Sequence, residues 1–133
     1  MPHAIRIHKN GGPEVLTYEE VPEAKPKAGE VRIKQTAIGL NFIDTYQRSG
    51  LYPLAMPLTL GSEAAGVVEA VGRGVKTLKV GDRVAYCGVI GAYTDSRVIA
   101  ADRLVKLPNW LDDQTAAAMM LKGMTAEYLI RRT

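Results

Sequence analysis

The chain has 133 residues, a mass of 14.4 kDa, 47% apolar and 23% charged residues, a balance that supports a buried core and excludes a disordered polar segment. Seventeen Lys and Arg against fourteen Asp and Glu give a net charge of +3; the basic residues are scattered, so no nucleic-acid partner is expected. The lone Cys87 excludes an internal disulfide and a Cys-rich zinc module, and with no apolar stretch near the ~18–20 residues of a membrane span and no apolar leader core at the N-terminus, a soluble cytoplasmic protein with no membrane partner is expected.

Thirteen glycines imply many tight turns and hence short strands. His3 to His8 alternates and is predicted as a strand, followed by turn chemistry at Asn10-Gly-Gly-Pro13. Glu14 to Val21 reads as a second strand, and residues 22–29 as a Pro- and Gly-containing connector. Val31 to Ala37 places Val31, Ile33, Gln35 and Ala37 on one face, the pattern of a half-buried strand. Across Gly39 to Gly50, Asn41 can cap and Phe42, Ile43, Tyr46 and Gln47 follow at helical spacing, so one or two helical turns ending at Gly50 are predicted. Leu51 to Leu60 holds two prolines and reads as an ordered loop. Ala64 to Val71 is strand-like, Gly72-Arg-Gly74 turns the chain, and Gly81-Asp82 makes a turn into a strand reaching Tyr86. Ala92 to Ala100 and Arg103 to Leu107 are predicted as the last strands.

From Pro108 the period changes. Asp112 or Asp113 can cap a helix in which Ala117, Met120, Leu121, Met124 and Tyr128 recur at three- and four-residue steps. Gly123 within it costs ~1 kcal/mol relative to Ala and leaves room for close approach by a backbone or ligand. A mostly β domain running into an apolar helix with no closing turn reads as a piece of something larger. Met119, Met120, Met124, Leu129 and Ile130 would then lie uncovered, and self-association through this helix is expected.

Three segments are specific: Gly39-Leu-Asn-Phe-Ile-Asp-Thr-Tyr46 continuing through Arg48-Ser-Gly-Leu-Tyr-Pro53, Gly61-Ser-Glu-Ala-Ala-Gly-Val-Val-Glu-Ala-Val-Gly72, and Val80-Gly-Asp-Arg-Val84. With Gly11-Gly-Pro-Glu-Val-Leu16 and Leu121-Lys-Gly-Met-Thr125, in this order and spacing, they resemble the N-terminal half of medium-chain dehydrogenases/reductases. Within that superfamily the resemblance is to the zeta-crystallin-like NADPH-dependent quinone oxidoreductases, and it covers essentially the whole chain. It implies a mainly β fold with some α, a GroES-like partly open β-barrel over residues 1–111, and a helix over 112–133 at the junction with a Rossmann domain. No G-x-G-x-x-G or A-x-x-G-x-x-G phosphate loop occurs in the sequence, and Gly72-Arg-Gly74 lacks the third glycine and the βαβ context. The chain alone is therefore expected to be inactive, and the parent protein to be a homodimer.

Zinc members of the superfamily bind catalytic zinc through Cys, His and Cys or Asp. The resemblance places Asn41, Ser62 and Leu121 at those positions, none of which is a good zinc ligand. The four-Cys structural lobe is also missing, and His3 and His8 read as strand and edge residues. No metal is expected. Hydride transfer from NADPH to a quinone remains, for which the cofactor supplies the chemistry and the protein supplies orientation and hydrogen bonds.

On residue chemistry alone Asn41 is an N-cap, and the resemblance makes it a group facing the nicotinamide ribose and the substrate oxygen. Asp44, three residues on, shares its face. Tyr46 and Tyr52 are phenols that could donate to a quinone oxygen as charge grows there, or simply pack. The resemblance makes Phe42, Ile43, Asp44, Thr45 and Tyr46, with Thr125 and Tyr128 on the last helix, cofactor contacts, and Asn41, Tyr46 and Tyr52 the catalytic set. Glu63 is balanced between a structural and a site role, and Cys87 reads as an inert thiol. The alternatives are an enoyl or alkenal reductase of the same superfamily and a non-enzymatic GroES-like assembly module. The latter gives the Asn41 to Pro53 segment no purpose.

Overall fold

Two strands organise the chain, β3 (Glu30–Gly39) and β5 (Glu63–Val71), paired antiparallel along most of their lengths with two register shifts, at Arg32/Ile33 and Gln35/Ala37. The computed structural model describes residues 1–132. Alternation on β3 sends Val31 and Ile33 inward to meet Ala64, Val68, Val84, Tyr86 and Ile99 in one buried cluster. On its other face β5 presents Ala65, which packs with Ala85, Leu107 and the helix residues Ala116 and Ala117. Covered on both sides, β5 reads as a run of small apolar residues rather than a clean alternation.

The larger sheet has the order β7-β3-β5-β6-β8, with β6 at Arg83–Cys87, β7 at Ser96–Ala100 and β8 at Val105–Lys106. The smaller runs β2-β1-β4, with β1 at His3–Ile7, β2 at Thr17–Glu20 and β4 at Leu58–Thr59. A bridge between Ala4 and Thr94 joins the two. The outcome is the expected partly open barrel, accompanied by helices α1 (Phe42–Ser49) and α2 (Asp113–Arg132). Of the junction helix expected over 112–133, Thr133 lies outside the described residues.

Helix α2 is fastened at its start. The Asp112 carboxylate accepts the Thr115 N–H at 2.8 Å, the N-cap arrangement. Asp113 accepts Arg83 Nη2 at 2.6 Å and Thr36 Oγ1 at 2.6 Å. Burial opposes the charge of Asp113, but the bonds from Thr36 and Arg83 outweigh it and hold the carboxyl below its ordinary range. Only Ala116 and Ala117 of this helix are buried, and small side chains there let its backbone lie close on the sheet.

Three expectations need correction. Residues 14–21 are not one strand: Pro13 opens a 3-10 turn over Pro13–Val15, where the Glu14 carboxylate takes the Gly12 N–H at 2.8 Å, and β2 begins only at Thr17. The loop over 51–60 contains β4, which pairs with Arg6 and Ile7. Residues 92–95 do not extend β7, because their N–H groups turn to the carbonyls of Gly61, Leu60, Ala92 and His3, and a 3-10 turn over Ala101–Arg103 then shortens β8.

Candidate active site

The end of β3, the start of β5 and the middle of α2 converge at Gly39. A Cβ there would lie 2.5 Å from the Ala117 carbonyl oxygen and 2.4 Å from Glu63 Cγ, so only glycine lets helix and strand meet. Beyond Gly39 the chain reaches Asn41 at the head of α1. Asn41 has the extended backbone of an N-cap residue and forms a capping box with Asp44, and its side chain is bonded beyond the helix as well. Asp44 Oδ2 accepts the Asn41 N–H at 3.0 Å, while the Asp44 N–H reaches the Asn41 carbonyl at 3.1 Å. The Asn41 amide is left to donate through Nδ2 to Glu63 Oε1 at 2.8 Å and to accept at Oδ1 from Lys122 Nζ at 2.9 Å.

Glu63 is 0% exposed. Its second oxygen accepts the Leu121 N–H of α2 at 2.8 Å. Lys122 Nζ also lies 3.3 Å from Glu63 Oε1 and 3.2 Å from the Leu40 carbonyl. A buried carboxylate needs partners of this kind, since an isolated one would be driven to neutrality. The three positions assigned to metal ligation by resemblance do come together here: Asn41 and Leu121 both bond Glu63, and Ser62 precedes it in sequence.

Asp44 sits behind Asn41, 4% exposed. Besides the Asn41 N–H it accepts Tyr93 Oη at 2.6 Å and, more weakly, Ser62 Oγ at 3.5 Å. Burial, then the hydrogen bond and charge of Asp44, push the Tyr93 phenol well above its ordinary value, so Tyr93 is a fixed donor. Its ring lies where a side chain on Gly61 would stand, at 2.2 Å, and Gly61 has φ of +88°.

The outer side of α1 carries an aromatic row. Phe42 meets Tyr46 edge-on at 5.4 Å between centroids, and Tyr46 meets Tyr52 at 5.6 Å. Phe42 is 75% and Leu40 76% exposed. Ile43 and Thr45 are also at the surface, with Thr45 Oγ1 bonded to the Phe42 carbonyl at 2.6 Å. Thr125 and Tyr128 are exposed on α2, with Thr125 Oγ1 returned to the Leu121 carbonyl at 2.8 Å. A groove of about 350 Å³ runs beside them between Met119, Met120, Gly123, Met124 and Glu127. A cleft of about 360 Å³ lined by Arg6, Arg32 and Ser96 lies elsewhere, away from Asn41.

The structure thus assembles Asn41 with Glu63 and Lys122, sets Phe42, Tyr46 and Tyr52 in a row, and places Asp44 as their support. Sequence reasoning passed over Lys122 and Tyr93 as site residues. The available signal was Glu63 itself, a charge opening the apolar run Ala-Ala-Gly-Val-Val, which demands buried partners. Among the described residues, no helix is long and apolar enough to cross a membrane.

The family described as the alcohol dehydrogenase GroES-like domain matches residues 27–109. A quinone oxidoreductase from Pseudomonas aeruginosa is 55% identical over 100% of this chain and 42% of its own length. A 2-haloacrylate reductase from a Burkholderia species is 48% identical over 98% of this chain and 41% of its own. Among solved structures, an Escherichia coli quinone oxidoreductase complexed with NADPH superimposes with a TM-score of 0.95 and 49% identity, covering 98% of this chain and 40% of that one. The chain spans about two fifths of the length of the relatives it matches.

Proposed function

The chain belongs to the alcohol dehydrogenase GroES-like domain family, and from that premise we propose that it is the catalytic-domain part of an NADPH-dependent quinone oxidoreductase working without a metal. Residues 1–111 form the catalytic domain in this reading, and the helix that follows forms its junction with a dinucleotide-binding domain. The observation that carries it is the nearly buried Asn41 amide, bonded to Glu63 and Lys122 at the head of α1, where a row of aromatic rings begins. The similarity to proteins named quinone oxidoreductase along the whole chain supports it.

The residues fit the cofactor. The exposed rings of Phe42 and Tyr52, with the half-buried Tyr46 between them, suit a planar conjugated ring with polar substituents. NADPH, when bound, supplies the hydride. Asn41 orients the ligand with the second N–H of its amide. Phe42, Ile43, Thr45, Thr125 and Tyr128 supply contact surface, and Asp44 acts through the Asn41 backbone. Tyr46 and Tyr52 donate toward the quinone oxygen on which negative charge develops. The donor set does not fit zinc: Asn41 Oδ1 already faces an ammonium at 2.9 Å, and Ser62 and Leu121 offer a hydroxyl and an aliphatic chain.

In the parent protein, NADPH oxidation is expected to be fast with a 1,4-quinone, unchanged after dialysis against a chelator, and reduced about 100-fold in kcat/KM by Asn41→Ala, the scale of losing one transition-state donor. Turnover of an α,β-enone alone would sink the quinone reading and favour the enone reductase. The 133-residue chain by itself should leave nicotinamide fluorescence unchanged on titration with NADPH.

The parent is proposed to be a homodimer in the cytoplasm, and the chain alone to self-associate through Met119, Met124 and Ile130, all exposed on α2. Light scattering should give a mass above that of the monomer at high concentration. A clean monomer there refutes the association.

A further inference from the structure

We infer that Glu63 is a positioning residue of the site, acting through Asn41 and Lys122 to fix which way the Asn41 amide points. The inference rests on the proposed role of Asn41 and adds the device that sets its orientation.

An asparagine amide without fixed partners can turn over, presenting NH2 or C=O to a ligand alternately. Here the two ends of the amide have opposite and incompatible partners. Ionised Glu63 only accepts, and it stands 2.8 Å from Nδ2. The Lys122 ammonium only donates, and it stands 2.9 Å from Oδ1. Turning the amide over would set oxygen against carboxylate oxygen and NH2 against ammonium at once. One orientation therefore survives, in which Nδ2 faces the carboxylate and Oδ1 the ammonium.

Lys122 is itself committed. Its three N–H bonds point to Asn41 Oδ1, Glu63 Oε1 and the Leu40 carbonyl at 2.9, 3.3 and 3.2 Å. Although its side chain is 59% exposed, the ammonium has no further donor for a substrate, so it serves the amide. Glu63 balances that charge and anchors its other oxygen on the Leu121 N–H. A carboxylate with no solvent exposure, at the head of an apolar strand, is costly unless its hydrogen bonds are complete. Those bonds tie β5 to the residue that begins α1 and to the middle of α2, the elements that carry most of the proposed contacts.

The test begins with the Asn41 side-chain amide protons in the 15N spectrum of the chain. In Glu63→Gln their exchange with water should rise at least ten-fold and their resonances move, while the Val31 and Ile33 backbone signals stay in place. If that variant fails to fold, Lys122→Met, a change at a largely exposed side chain, interrogates the same amide from its other end, and its resonances should also move. In the parent, Glu63→Gln should lower kcat about ten-fold with less change in the KM for NADPH. Unaltered amide signals in a folded variant overturn the inference. Altered signals with unchanged kcat overturn instead the reading of Asn41 on which it rests.

Discussion

Asp44→Ala is expected to lower the melting temperature by about 10 °C, read by circular dichroism at neutral pH. Its carboxylate, buried behind α1, receives the Asn41 N–H at 3.0 Å, Tyr93 Oη at 2.6 Å and Ser62 Oγ at 3.5 Å. Alanine leaves the first two donors without a partner in a nearly dry place. Each orphaned donor costs roughly 1–3 kcal/mol, so the loss is about 3 kcal/mol after relaxation, and a domain of this size moves by roughly 3–5 °C per kcal/mol. Asp44→Asn keeps the shape and one acceptor and should lose about half as much. Tyr93→Phe removes the partner, and the double variant with Asp44→Ala should cost less than the sum of the two. A shift below 2 °C for Asp44→Ala would show that water replaces the carboxylate and that α1 does not depend on it.

The second large effect is steric. Gly39→Ala puts a methyl group 2.5 Å from the Ala117 carbonyl oxygen and 2.4 Å from Glu63 Cγ. Because one obstacle is backbone, α2 must back away, and about 2–3 kcal/mol of stability is lost, as in other overpacked sites. The Leu121 N–H should lose its bond to Glu63 and exchange faster. Gly123→Ala on the same helix is the contrasting case. A Cβ there meets only the Met119 side chain, at 3.9 Å, so the change should stabilise by roughly 0.5–1 kcal/mol through helix propensity. Equal effects from the two substitutions would mean that the close approach at Gly39 matters no more than helix preference does.

Features set by neighbours in sequence were readable from the sequence. Val31 and Ile33 declared an inward face by alternation, and Gly50, with φ of +87°, ended α1 as expected. Strand β4 was not readable, because two residues become a strand only by pairing with Arg6 and Ile7, far away along the chain. The same applies to the site. Asn41 and Glu63 are 22 residues apart, Asp44 and Tyr93 are 49 apart, and Lys122 lies 59 from Glu63. No local pattern encodes such meetings. Asn41 shows the limit most clearly: its capping role was legible and is present, while its bonds to a carboxylate from another strand and an ammonium from another helix were not.

Helix α2 is held by Asp113, Ala116 and Ala117 near one end and is open along its latter half. Any tilt about Ala117 would grow along the axis, against the bonds that hold Leu121 and Lys122. At ~1.5 Å per residue Tyr128 stands about 16 Å out along the axis, so a 5° tilt carries it about 1.4 Å sideways. Lys122, about 7.5 Å out on the same rise, moves half as far and is tethered besides. The amide lock sits near the fulcrum and Tyr128 on the long arm. A ligand or partner settling on the outer half of the helix would thus displace Tyr128, a proposed contact, further than the polar cluster of Asn41, Glu63 and Lys122.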